Sequence, residues 1–167
     1  MVDGVKALAL YEYSDAFRSA LYQLKGCGDI ELAKSFLSYC LPSLKLYFRG
    51  YSVVPAPSSK SHDERRGFNQ VVEIAKPLGL PIINALAKDE VEKQSNLSSE
   101  LRRQVGEHIR LRDGVSVRGR KVLLIDDVYT TGSTVKACIR LLQGAKPKSL
   151  RVLVVAKTPF KTREITD

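Results

Sequence analysis

Apolar positions along the 167-residue chain fall into short blocks with two distinct periods. Phe17, Ala20, Leu21 and Leu24 recur at i, i+3, i+4 and i+7, the spacing of one helix face, with Ser14 or Asp15 as cap and Gly26 as stop. Asp29 caps a second predicted helix, whose inner face is Ala33, Phe36, Leu37 and Cys40 and whose end is Pro42. Between them, Lys25-Gly26-Cys27-Gly28-Asp29 reads as a flexible turn holding one cation. From Tyr51 the pattern becomes strand, turn, helix. Tyr51 to Pro55 is β-prone, Ala56-Pro57-Ser58-Ser59-Lys60 is loop material, and Phe68, Val71, Val72 and Ala75 line a helix closing around Pro77-Leu78-Gly79.

Pro81 to Leu86 is the next predicted strand, and residues 88–104 are polar without strand character. Asp113-Gly114 and Arg118-Gly119 are turn signals, compatible with a small hairpin. Val122-Leu123-Leu124-Ile125 is an unbroken apolar run, as in a parallel strand covered on both faces. Val135, Cys138, Ile139 and Leu142 make the following helix, stopped by Gly144, and Leu150 to Ala156 supplies another buried strand. Strands alternating with helices predict an α/β fold with a mainly parallel sheet.

Composition sharpens this picture. Hydrophobic residues at 44% and charged residues at 27% describe an ordinary globular chain, long enough for one core and without a run suited to a membrane span. Met1-Val2-Asp3-Gly4 places an acid where a signal peptide carries positive charge. The three cysteines, Cys27, Cys40 and Cys138, form no C-x-x-C pair and read as free thiols in a reducing cytoplasm. The net charge of +9 is uneven. Residues 1–101 carry 12 basic and 12 acidic side chains, and residues 102–167 carry 15 against 6. That asymmetry fits an anionic ligand, a nucleic-acid surface, or a solvated basic face.

The segment Val122 to Thr134, VLLIDDVYTTGST, carries the chemistry. A buried strand ends in Asp126 and Asp127, and Thr130-Thr131-Gly132-Ser133-Thr134 then opens a helix. Ligands of open α/β sheets bind beyond the carboxyl ends of the strands. A hydroxyl-rich loop at a positive helix end suits a phosphate, and two neighbouring carboxylates suit the 2- and 3-hydroxyls of a ribose. Together they describe a ribose 5-phosphate cradle. The nucleotide-binding G-x-x-x-x-G-K-[ST] motif, the Rossmann fingerprint, H-E-x-x-H and G-x-S-x-G are all absent from the chain.

VLLIDDVYTTGST resembles the PRPP-binding motif of type I phosphoribosyltransferases. Val54-Pro55-Ala56-Pro57 followed by Arg65-Arg66-Gly67-Phe68-Asn69-Gln70 resembles the ComF family of competence-associated phosphoribosyltransferase-like proteins. Lys25 with Gly28-Asp29 is similar to that family's K-x-x-G-D turn, and Gln94, Leu97 and Arg102 or Arg103 to its Q-x-x-L…R arm. The likeness runs from about Tyr11 to about Val155. Members commonly begin with a four-cysteine zinc module. Here it is absent, and Met1 falls about where it would end, as in a shortened or trimmed member.

The resemblance implies one phosphoribosyltransferase-like domain over 1–167, with a helical hood over 1–50 and a PRPP-binding core over 51–167. It implies that Asp126 and Asp127 hold the ribose hydroxyls, with Mg²⁺ carried by PRPP close by, and that Thr130, Thr131, Gly132, Ser133 and Thr134 bind the 5-phosphate. Ser58, Ser59 and Lys60 would serve the pyrophosphate, or Ser58-Ser59 is a plain surface turn. Residues 88–104 would be a closing arm, with Arg103 set to stabilise departing pyrophosphate. Lys25, Arg66, Gln94 and Arg102 are further candidates. Arg65 and Arg66 either reach phosphates or lie along a helix face balanced by Asp63 and Glu64, and Phe68 and Asn69 read as packing and loop-fixing residues. His62 and His108 read as surface residues. Two functions follow as expectations: a ComF-type PRPP-binding protein serving DNA uptake, with single-stranded DNA and uptake proteins as partners, or a metabolic phosphoribosyltransferase acting on a nucleobase or amine.

Overall fold

The computed structural model of the protein describes residues 1–26, 28–58, 64, 67–88 and 109–158. Strand β1 spans Lys6–Glu12 and is followed by α1 (Asp15–Gly26), α2 (Ile30–Ser38) and α3 (Leu41–Tyr47). Next come β2 (Ser52–Pro55), α4 (Gln70–Ala75) with a 3₁₀ turn at Lys76–Leu78, β3 (Leu86–Lys88) and β4 (Ile109–Leu111). The chain continues through β5 (Lys121–Tyr129), α5 (Ser133–Gly144) and β6 (Ser149–Lys157). The main sheet has the order β1-β6-β5-β2 and every pair in it is parallel.

The period of two along β5 and β6 sorts their side chains onto two covered faces. Leu123, Ile125, Leu153 and Val155, with Val53 of β2, pack against Leu21, Leu24, Phe36, Leu37 and Ile74 from α1, α2 and α4. Val122, Leu124, Val152 and Val154, with Val54, pack against Val135, Cys138, Ile139 and Leu142 of α5. Each fully buried aliphatic side chain contributes about 1.5–3 kcal/mol to these two layers. Cys40 is half-buried and Cys138 buried, and Cys27 lies outside the described residues.

Helix boundaries follow the predicted caps, with informative exceptions. Ser14, not Asp15, caps α1, its Oγ accepting from Phe17 N at 3.2 Å. Asp29 caps α2 through Leu32 N at 3.3 Å. That helix stops at Ser38, so Cys40 is off its inner face, and Pro42 sits in the first turn of α3. Proline there loses no helical hydrogen bond, so it opened a helix where the sequence reading had one ending.

Two strand expectations are corrected. The N-terminal region begins with β1, paired with β6 from Lys6↔Arg151 to Glu12↔Lys157, where only helices were expected. Of the segment from Pro81 to Leu86, only Ile82 bridges to Val53, because Ala85 N bonds Ile83 O at 2.8 Å in a tight turn. The strand restarts at Leu86, pairing antiparallel with β4 in a separate two-stranded sheet. Asp113-Gly114 and Arg118-Gly119 are turns, Gly114 and Gly119 having φ of 73° and 71°, but they join no hairpin.

Candidate functional site

Parallel pairing of β2 with β5, ending at Pro55↔Ile125, sets the exits of both strands side by side. Ala56 N continues the ladder to Ile125 O at 2.8 Å, so the loop from Ala56 to Ser58 runs beside the end of β5. There Asp126 and Asp127 are both buried, each 8% exposed. Strand alternation sends them to opposite faces, Asp127 toward α1 and α4 and Asp126 toward the α5 layer.

The two carboxylates are held very differently. Asp127 Oδ1 accepts from Val128 N at 2.7 Å, and its Oδ2 accepts from Gln70 Nε2 at 3.0 Å and from Lys25 Nζ at 2.6 Å. An ammonium and an amide directed at one oxygen fix that carboxylate in place. Asp126 has one bond, its Oδ1 accepting from Asp127 N at 2.9 Å. Its second oxygen has no hydrogen-bond partner among the described residues. Burial, and then the charge of Asp127, push the Asp126 carboxyl well above the ordinary 3.8. A pair with one anchored anion and one under-partnered carboxyl is suited to accept hydroxyl donors or a cation delivered with a ligand.

Residues outside the VLLIDDVYTTGST run build this arrangement. Lys25 lies in the last turn of α1, Gly28 takes a left-handed φ of 71°, Asp29 caps α2, and the Lys25 ammonium meets Asp127. Asn69 caps α4 through Val72 N at 3.1 Å and donates from Nδ2 to Ser58 Oγ at 2.8 Å. Asn69 thus ties the described part of the predicted pyrophosphate loop to the helix that carries Gln70. Sequence reasoning gave Gln70 no role, although it closes the R-R-G-F-N-Q match.

After β5, Thr130 and Thr131 are exposed, Gly132 is the N-cap of α5 with φ 76°, and Ser133 opens the helix. The N-cap residue of that helix makes no side-chain cap, and its first turn holds no acid of its own. Within the loop, Ser133 N reaches Thr131 Oγ1 at 3.4 Å, and Thr134 is half-buried at the start of the helix. Thr158, unassigned by the sequence reading, pins the loop from the end of β6. Its N bonds Tyr129 O at 3.0 Å, and its Oγ1 lies 3.4 Å from Thr130 O. The Tyr129 ring covers Gly132 so closely that a Cβ at 132 would fall on it.

Of the predicted site residues, Lys25, Ser58, Asp126, Asp127 and Thr130 to Thr134 are placed at this one sheet edge. Ser59, Lys60, Arg66, Gln94, Arg102, Arg103 and most of the arm at 88–104 lie outside the described residues. Among the described residues no group of three metal-binding side chains occurs. Two carboxylates, one of them already paired with Lys25, fit Mg²⁺ that arrives on a phosphorylated substrate and keeps phosphate and water ligands. Also among the described residues, no helix is long and apolar enough to cross a membrane.

Comparison with known proteins agrees with this geometry. The phosphoribosyl transferase domain family matches residues 64–167. The competence protein ComFC of Streptococcus pneumoniae is 31% identical over 154 residues, covering 92% of this chain and 69% of the relative. Its namesake from Bacillus subtilis is 34% identical over 145 residues, covering 85% and 60%. The chain therefore spans roughly two thirds of the length of these relatives. Among solved structures, a hypoxanthine-guanine phosphoribosyltransferase from Bacillus anthracis superposes with a TM-score of 0.51 at 16% identity, covering 78% of this chain and 70% of the other. A hypoxanthine phosphoribosyltransferase from Staphylococcus aureus gives 0.50 at 21% identity, covering 78% and 65%. These two share the fold, a type I phosphoribosyltransferase core. Matched over most of its length, this chain belongs to the phosphoribosyltransferase family and, within it, to the ComF group that includes ComFC.

Proposed function

We propose that this chain binds PRPP with Mg²⁺ at the shared edge of β2 and β5, transfers its phosphoribosyl group, and serves DNA uptake in competence. The carrying observation is the unequal acid pair: Asp127 anchored by Lys25 and Gln70, and Asp126 buried and, among the described residues, accepting one hydrogen bond, from Asp127 N, beside an α5 end whose N-cap residue makes no side-chain cap. In this reading the ribose 2- and 3-hydroxyls donate to the two carboxylates. The 5-phosphate accepts N–H bonds from the loop Thr130 to Thr134. Ser58, with Ser59 and Lys60, faces the pyrophosphate, and Arg103 is assigned to the same group. Bound Mg²⁺ supplies charge neutralisation for the pyrophosphate.

The transfer breaks the bond from ribose C1 to pyrophosphate oxygen, and the electron pair leaves with pyrophosphate. The acceptor's lone pair forms the new bond to C1. Positive charge develops on the ring in between, close to the anionic Asp127, and the protein's part is positioning and electrostatic stabilisation. The test is pyrophosphate release from PRPP against a panel of nucleobase and amine acceptors. Mg²⁺-dependent release that Asp126→Asn removes supports transfer. PRPP binding without release against every acceptor would refute the catalytic part.

The competence role draws on the two ComFC relatives and on a basic surface at the opposite edge of the sheet. Exposed Arg118 and Arg120 precede β5 and exposed Lys121 opens it, exposed Lys146 and Lys148 precede β6, and Lys148 N bonds Arg120 O at 2.9 Å. This edge is assigned to single-stranded DNA, bound through phosphates. With four phosphates neutralised, the log–log salt slope is about −3. Arg118→Glu, Arg120→Glu and Lys121→Glu together should abolish DNA binding and leave PRPP binding intact. A wild-type protein without DNA affinity at low salt would contradict this assignment.

A further inference from the structure

Among the described residues, strand β1 lies at the edge of the main sheet, and its outer side faces no other strand. Sheet edges in soluble proteins are usually short, charged, bulged or broken by proline, because an open ladder recruits other strands. β1 has none of these protections along its middle. It runs seven residues in one unbroken register with β6, and its only charges are Lys6 and Glu12 at its two ends. Between them lies Ala-Leu-Ala-Leu-Tyr, with Leu8 39% and Tyr11 36% exposed. Neither Lys6 nor Glu12 has an ion-pair partner among the described residues. An apolar cleft of about 640 Å³ extends from Leu8 to Leu46, Tyr47 and Phe48 beside this edge.

The sequence of β1, KALALYE, is complementary to itself when reversed. In an antiparallel pairing with its two-fold axis at Ala9, Lys6 stands opposite Glu12 of a second copy, and Leu8 opposite Leu10. Ala7 stands opposite Tyr11, a small side chain against a large one. Directly opposite residues share a face, so two ion pairs flank a four-leucine stripe. Shifting to either neighbouring same-face register sets Lys6 against Leu10 or Glu12 against Leu8, which removes both pairs. A two-fold interface requires such self-complementarity.

We infer that β1 is a homodimerisation edge, pairing antiparallel with β1 of a second copy about Ala9 and joining the two four-stranded sheets into one. The surface stands apart from the acid pair and does not depend on the function proposed above. The test is light scattering and sedimentation of the full chain over a concentration series. The wild type should run at twice 18.6 kDa. Lys6→Glu sets two glutamates opposite each other at both ends and should raise the dissociation constant about tenfold or more. Glu12→Lys should do the same with lysines. The double variant, Lys6→Glu with Glu12→Lys, restores both pairs with reversed polarity and should dimerise again. Both positions are exposed, and a circular dichroism spectrum like the wild type's verifies that each variant folds. A wild type that stays monomeric overturns the inference, whether its β1 amides exchange freely or are covered by another part of the chain. So does a dimer indifferent to the single changes, or one that the double change fails to restore.

Discussion

Replacing Lys25 with methionine keeps the length of the side chain and removes its charge from Asp127. Losing one partner of a fully buried ion pair costs about 3–5 kcal/mol, and losing an exposed pair about 0–1 kcal/mol. Here the Lys25 side chain is 33% exposed and that of Asp127 11%, which places the pair between those limits. Asp127 also keeps its bonds from Gln70 Nε2 and Val128 N, so the carboxylate is not orphaned. A loss of about 2 kcal/mol follows, or a fall in Tm of about 4–8 °C for a chain of this size. The assay is urea unfolding of Lys25→Met, of Asp127→Asn and of the double variant. With the carboxylate already neutral, Lys25→Met should matter little, so the cycle should show a coupling of about 1–2 kcal/mol. Equal effects of Lys25→Met in both backgrounds would refute the claim that Lys25 stabilises the fold through Asp127.

Asp126 binds its proton more tightly in the folded protein than in the unfolded chain, because burial and Asp127 raise its pKa above 3.8. Its contribution to stability is therefore full below that value and declines as pH rises toward the folded pKa. Asp126→Asn should flatten the fall in Tm as pH rises above the ordinary carboxylate range, and identical pH profiles for variant and wild type would contradict the assignment. Gly132→Val combines a left-handed φ of 76° with a collision against the Tyr129 ring, so unfolding measurements should show a loss of about 2–4 kcal/mol. Adding Tyr129→Ala should recover the collision and leave the backbone strain; recovery of the whole loss, or of none, would show that one of the two causes is wrong.

Elements whose signal is local were readable from the residues alone. The run VLLI has the pattern of a doubly covered strand, and Val135, Cys138, Ile139 and Leu142 mark the buried face of α5. The acids and the hydroxyl loop were likewise legible, since they are consecutive in the chain. β1 was not, because an exposed edge strand shows neither the alternation of a half-buried strand nor the continuous burial of a central one. At Pro42 the same residue ends one helix or starts another, and only the packing of α3 decides between them. The Lys25–Asp127 and Gln70–Asp127 contacts join segments far apart in sequence. The family-like K-x-x-G-D and R-R-G-F-N-Q runs pointed to those residues without indicating what they touch.

Calorimetric titration of the protein with PRPP, with and without Mg²⁺, tests the central claim that the acid pair at the end of β5 is a phosphoribose site. Wild type should bind in the presence of Mg²⁺ and far more weakly without it. The double variant Asp126→Asn, Asp127→Asn should remain folded and lose most of that affinity. Equal affinity in wild type and double variant would contradict the account.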